Sequence, residues 1–308
     1  MNLPCKAIKS KSIKMKSVTI FHNPNAGDEA YDQQQLITLA EQHGYQCDYY
    51  SVKEEDYESF QEDTDLIAVA GGDGTVRSIL KVLMKRRLNT LAPLTILPMG
   101  TANNISKSLG IFNEPSEVVK DWENRNIRKI DLGEILDEKE ETFFLEAAGF
   151  GVFPALMQLM KDHPDEDSTE DKLEATLKKL RELIVTYQAR DARVELNGEV
   201  RSGKFLVIEI MNISSIGPNL LLAPEADPGD GQLDIVLIEE NEKDNLLAAI
   251  DHKINGSDQG FRFEVVRADQ VHVRIQDSVM HLDDELIQKH APLDITIRND
   301  PKVFEFLI

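Results

Sequence analysis

Residues 65–87, DLIAVAGGDGTVRSILKVLMKRR, contain a whole strand–turn–helix unit. Leu66–Ala70 is an unbroken apolar run, as expected of a strand buried on both faces. Glycines at 71, 72 and 74 interrupt it, after which Val76, Ile79, Leu80 and Leu83 recur at helical spacing. Lys85, Arg86 and Arg87 suit the negative end of the helix dipole. SVTIFHNPNAGDEA (17–30) and LTILPMGTANNISKSLG (94–110) repeat the plan, with Gly27 and Gly100 in their loops. Strands alternating with helices predict an α/β domain with a parallel sheet. Right-handed crossovers bring all three glycine loops out at its carboxyl edge, where ligands bind.

After about residue 128 the pattern changes to short alternating segments. They are TFFLEAA (142–148), ARVEL (192–196), KFLVIEIM (204–211), LDIVLI (233–238), FRFEVV (261–266), QVHVRI (270–275) and LDITI (293–297). Asn197-Gly198 is a strong two-residue hairpin signal. The expectation is a nucleotide-binding α/β domain over 15–128 and an antiparallel β-sandwich or barrel over 129–308. The last strand is free to pack back on the first domain. One helix is expected near 171–188, with Leu173, Leu177, Leu180, Ile184 and Tyr187 on one face that is either core or the lining of an acyl-chain groove. The acidic stretch 161–171 reads as a solvated loop or a cover over a site.

The chain has 308 residues and a net charge of −21, which excludes a phosphate-backbone partner such as nucleic acid. No apolar run is long enough to span a bilayer, and the N-terminus lacks the apolar core of a secretory signal. Cys5 and Cys47 form neither a disulfide framework nor a metal-ligand pattern. These features suit a cytoplasmic protein. Residues 1–14 read as a disordered extension, although five lysines between Lys6 and Lys16 could also hold a protein near anionic headgroups.

An aspartate among glycines at a strand end is electrostatically odd, because such turns usually receive phosphates. Gly71, Gly72 and Gly74 let a ligand approach the backbone, and the amides of the following helix start favour phosphate oxygens. Asp73 either caps that helix or meets the phosphates through a divalent cation. Mg²⁺ commonly binds through one or two carboxylates together with substrate phosphates.

NPNAG (23–27), GGDGT (71–75) and PMGTANN (98–104), in this order, resemble the diacylglycerol kinase catalytic family of bacterial lipid kinases and sphingosine kinases. IDLGEI (130–135), AAGFGVFPAL (147–156), APEADPGDGQLDIVLI (223–238) and MHLDDE (280–285) resemble its later motifs. NAD kinases share GGDGT, but PMGTANN and DGQLD are similar to the lipid kinase branch. The resemblance implies ATP over Asn23, Pro24, Gly27, Gly71, Gly72, Asp73, Gly74, Thr75, Gly100, Thr101 and Asn103, in a cleft between two domains. It implies Mg²⁺ at Asp73, a general base at Glu285, and Asp131 and Asp283 in a metal–water network. A second, structural Mg²⁺ would fall on Asp230, the Gln232 carbonyl and Asp227. The implied substrate is a lipid hydroxyl at a membrane surface, reached by peripheral contact, and a homodimer is compatible with this.

Several positions depart from the family pattern. Asp284 replaces the usual glycine of D-G-E, Arg77 and Ser78 replace an Asn-Glu pair, Asn104 stands where aspartate is frequent, and Lys107 where arginine is. They keep open a kinase of a soluble or atypical acceptor, or an inactive nucleotide-binding regulator. His281 reads as an ordinary packed or exposed strand residue.

Overall fold

The computed structural model describes residues 16–27, 31–54, 57–88, 92–123, 126–136, 142–162, 169–256 and 262–308. The lysine-rich N-terminus and residues 163–168 of the acidic stretch lie outside them. The first half runs β1 (Lys16–His22), α1 (Gln33–Gln42), β2 (Tyr45–Ser51), β3 (Leu66–Gly71), α2 (Asp73–Lys85), β4 (Leu94–Pro98), α3 (Asn104–Ser108) and α4 (Pro115–Lys120). Its strands lie parallel in the order β2-β1-β3-β4. β3 is buried along its whole length, as its unbroken apolar run requires. The sequence reading misses β2. This edge strand is mostly half-buried, and YQCDYYS offers neither an apolar run nor a clean alternation.

The second half contains β5 (Ile127–Ile135), β6 (Thr142–Phe144), β7 (Ala147–Gly151), α5 (Val152–Asp162), α6 (Thr169–Thr186), β8 (Arg190–Leu196) and β9 (Glu199–Met211). β10 (Ser215–Ile216), β11 (Leu220–Leu221), β12 (Leu233–Glu239), α7 (Lys243–Ile254), β13 (Val265–Ala268), β14 (Gln270–Ile275), β15 (Val279–Leu282), β16 (Glu285–Gln288) and β17 (Leu293–Leu307) follow. Antiparallel pairing links β16-β15-β7-β9-β8-β14-β17. Asn197 and Gly198 turn between β8 and β9 with φ of 51° and 77°, the paired positive torsions of a tight hairpin.

One expected helix becomes three. α5 starts directly after Gly151 with no loop to punctuate the apolar run, and α7 buries only Leu246 and Ile250, so neither announces itself. The two faces of β9 serve different cores. Phe205, Ile208 and Ile210 point into the sandwich, while Leu206, Val207 and Met211 meet α5, α6 and α7.

β17 joins the two halves. Its first residues pair antiparallel with β14, its last pair with β5, and Phe306 lies opposite Leu94 of parallel β4. Within the β5 pairing, between Asp300 and Phe304, the register shifts, and Lys302 adopts φ 59°. Asp131 holds this bulge by accepting the Lys302 amide at 2.7 Å. Phe304 and Phe306 are fully buried in the first core. Phe304→Ala should therefore cost about 3–5 kcal/mol. Urea unfolding followed by the fluorescence of Trp122, buried in the same core, measures it; an unchanged midpoint would contradict the account.

Candidate active site

The three glycine loops meet because small residues let their backbones touch. Asn23 N donates to the Ala70 carbonyl at 2.9 Å, and Met99 N to the Gly71 carbonyl at 3.1 Å. A Cβ on Gly100 would fall 2.4 Å from the Gly72 Cα, so the backbones cross here only because residue 100 is glycine. Asn103, at φ 52°, holds the third loop: its Oδ1 accepts from Gly100 N at 2.9 Å and its Nδ2 donates to the Gly100 carbonyl at 2.8 Å. Asn23 Nδ2 donates to Thr75 Oγ1 at 3.2 Å. A cavity of about 490 Å³ opens above these loops, lined by Asn23, Gly27, Gly72, Thr75, Gly100 and Thr101 among others. Pro24, Gly71 and Asn103 do not line it.

Asp73 opens α2, yet its carboxylate caps a different helix. It accepts from the Asn104 and Ile105 amides, at 2.9 and 3.0 Å, at the start of α3. The second glycine loop is thus fastened to the third. Burial raises the Asp73 carboxyl above its usual range, and the two amides only partly offset this.

Across the cleft, the β15–β16 turn carries Asp283, Asp284 and Glu285. The left-handed torsion falls on Asp283, at φ 50°, and not on Asp284, so the residue in the glycine position is unstrained. Asp283 is buried, and its carboxylate accepts from the amides of Leu145, Glu146 and Ala147. Arg77, also buried, extends from α2 to all three acids. Its Nε lies 2.7 Å from Asp283 Oδ2, and its Nη1 lies 3.1 Å from Asp284 Oδ1 and 2.9 Å from Glu285 Oε1. Lys81 also pairs with Glu285. Partial burial would raise the Glu285 carboxyl, but Lys81 and Arg77 together hold it below the usual range.

A second cavity, also about 490 Å³, adjoins the first. Phe153, Leu156, Met157 and Met160 of α5, Leu173 of α6, and Ile216 give it an apolar wall. Asp73, Glu146, Asp283 and Asp284 form its acidic end, beside His281. Leu177, Leu180 and Ile184 are core, so the face read from the sequence divides between packing and lining. The two cavities share Gly74, Thr101 and Asp284.

Residues 17–135 match the family model of the diacylglycerol kinase catalytic domain, and residues 162–307 match that of the YegS C-terminal NAD kinase beta sandwich-like domain. The chain carries a diacylglycerol kinase catalytic domain followed by a YegS-type C-terminal domain. It is 26% identical to a diacylglycerol kinase of Bacillus subtilis (strain 168), over 73% of this chain and 75% of that one. It is 24% identical to a diacylglycerol kinase of Staphylococcus aureus (strain JH9), over 80% and 76%. The crystal structure of a diacylglycerol kinase from Bacillus anthracis str. Sterne superposes with a TM-score of 0.70 at 21% identity, over 96% of this chain and 97% of that one. That likeness shows the shared fold: a parallel α/β domain followed by a β-sandwich domain.

A kinase family implies a nucleotide and usually a divalent cation. Asp73, Glu146, Asp283 and Asp284, at the acidic end of the second cavity, are the carboxyls that such a cation would meet. Burial and the nearby charges of Asp73 and Asp283 push the Glu146 carboxyl well above its usual range. The residues implied for a second magnesium, and Asp131 of the implied metal–water network, are engaged by protein groups. Asp227 pairs with Arg128 and Asp230 with Arg267. Asp131 accepts from Gly231 N and Lys302 N, both at 2.7 Å. Gln232 N donates to Asp230 Oδ1 at 3.0 Å. Arginines thus supply the positive charge there. Among the described residues no group of three or more His, Cys, Asp or Glu is disposed to hold an ion.

The sequence reading missed Glu146, hidden in an apolar strand segment, and undervalued His281. His281 is fully buried, with Nε2 2.7 Å from Glu209 Oε1 and Nδ1 3.0 Å from the Asp283 carbonyl. A Cβ on Gly149 would overlap both Glu209 and His281, so that glycine makes room for the pair. The carbonyl must receive an N–H and the carboxylate faces the other nitrogen, which is the geometry of an imidazolium. Burial alone would lower the His281 pKa, but Glu209 and the carbonyl raise it above its ordinary value. The charged pair's contribution to stability is complete below the unfolded value of about 6.5 and is lost as pH rises through the raised folded value. NMR titration of His281 should give a midpoint above 6.5, which Glu209→Gln lowers. A wild-type midpoint below 6.5 would contradict the ion pair.

Proposed function

We propose that this protein transfers the terminal phosphoryl group of ATP to the hydroxyl of a diacylglycerol or related lipid, with Mg²⁺. One observation carries the reading: a polar, glycine-lined cavity and an apolar cavity share a wall at Gly74, Thr101 and Asp284. A nucleotide triphosphate suits the first, which the three glycine loops and the first turn of α2 line. A long-chain alcohol suits the second, with its hydroxyl at the acidic end and its chain along Phe153–Met160. Their common wall is where the two substrates would meet.

Asp73 would hold the cation against the phosphates. Bound there, a cation would neutralise charge on the transferring group, which is most of what phosphoryl transfer requires. The protein aligns the acceptor: its oxygen bonds to the γ-phosphorus as the bond to ADP breaks, and a carboxylate of the 283–285 turn takes the hydroxyl proton. The glycine loops position the phosphates, and the apolar wall positions the lipid and keeps water away. No helix among the described residues is long and apolar enough to cross a membrane, so the lipid would be met by peripheral contact at a membrane surface.

The test is transfer of labelled phosphate from ATP to diacylglycerol in mixed vesicles, with glycerol as the soluble control. Lipid is the expected acceptor. Asp73→Asn should lower turnover at least about 10²-fold. Met157→Glu, which puts charge on the apolar wall, should lower lipid phosphorylation about tenfold with ATP affinity unchanged. Transfer to glycerol alone would contradict the reading.

A further inference from the structure

We propose that in this chain Asp284, and not Glu285, accepts the proton of the attacking hydroxyl, held in place by Arg77. The assignment rests on the phosphotransfer reading above and names the residue that completes it.

The three acids of the turn have different amounts of freedom. Asp283 is buried, and its carboxylate is bound by three backbone amides and Arg77 Nε. Glu285 opens β16, its Oε1 is taken by both Arg77 and Lys81, and it lines neither cavity. Asp284 lines both cavities. Arg77 holds only its Oδ1, at 3.1 Å. Its Oδ2 projects over Gly74, so closely that a Cβ there would come within 2.8 Å of that oxygen. Gly74 is itself part of the shared wall. A carboxylate oxygen therefore faces the place where an acceptor hydroxyl would meet the phosphate.

The proton balance is simple. The lipid hydroxyl gives its proton to Asp284 Oδ2 while its oxygen bonds to phosphorus and ADP departs. The side chain of Asp284 is 61% exposed, so the proton leaves to solvent once the products go. Arg77 is a positioning residue. Its Nε fixes Asp283, and so the turn, while Nη1 aims the Asp284 carboxylate. A lysine cannot make both contacts with one planar fork.

Kinetics on the full chain, with ATP and diacylglycerol vesicles, separates the residues. Asp284→Asn and Asp284→Gly should each lower kcat by about 10²–10⁴-fold. Calorimetric affinity for Mg·ATP and the Trp122-monitored unfolding midpoint should stay at wild-type values. Glu285→Gln should cost less than about tenfold in kcat, the smaller effect of losing a partner for Lys81. Arg77→Lys should lower kcat with the KM for ATP unchanged, and should have no further effect in an Asp284→Asn background, the mark of two residues acting as one unit. The assignment is overturned if either Asp284 variant keeps its kcat, or if Glu285→Gln loses as much as Asp284→Asn. Loss of Mg·ATP binding in Asp284→Asn overturns it too, by assigning the carboxylate to the cation. A wild-type protein that phosphorylates no lipid overturns the phosphotransfer reading as well, a result distinct from the other three.

Discussion

The cleft depends on one buried carboxylate. Asp283 gathers the amides of residues 145–147 and the Arg77 Nε, and so ties the β15–β16 turn, the start of β7 and helix α2 into one unit. Ion and partner are both withdrawn from water, so each needs the other. Removing either partner of such a buried pair costs on the order of 3–5 kcal/mol, far more than a surface pair contributes. The turn is held rigidly because the alternative is an unpaired charge in the interior.

That constraint organises the charges around it. Arg77 occupies a helix position on the face that α2 buries, and its planar fork spreads one positive charge over three acids. The His281–Glu209 pair lies behind the turn, and the His281 Nδ1 contact to the Asp283 carbonyl fixes the backbone from the other side. Asp73, Glu146 and Asp284 remain along the cavity walls with less compensation. A site with surplus negative charge beside glycine loops receives a cation and phosphates together more readily than either alone.

Local features were legible in the sequence. β3 and α2 appear as an apolar run and a helical period, and the glycine loops appear as breaks at strand ends. The hairpin at Asn197-Gly198 is legible for the same reason. What escaped was set by distance along the chain or by context. Arg77 stands out as a departure, but its role needs partners 207 positions away, which no local pattern reveals. The Arg128–Asp227 and Arg267–Asp230 pairs likewise join residues 99 and 37 positions apart. Glu146 lies among strand residues whose pattern predicts only burial. α5 was hidden by the absence of any loop after β7, and β2 by its mixed composition at an edge.

The most direct measurement is a crystal structure with Mg²⁺, a non-hydrolysable ATP analogue and a short-chain diacylglycerol. The account predicts the terminal phosphate against Gly74 and Thr101, the acyl chain along Phe153–Met160, and the lipid hydroxyl within about 2.6–3.2 Å of an Asp284 oxygen. A nucleotide bound away from the glycine loops, or a lipid that does not enter the apolar cavity, would contradict it.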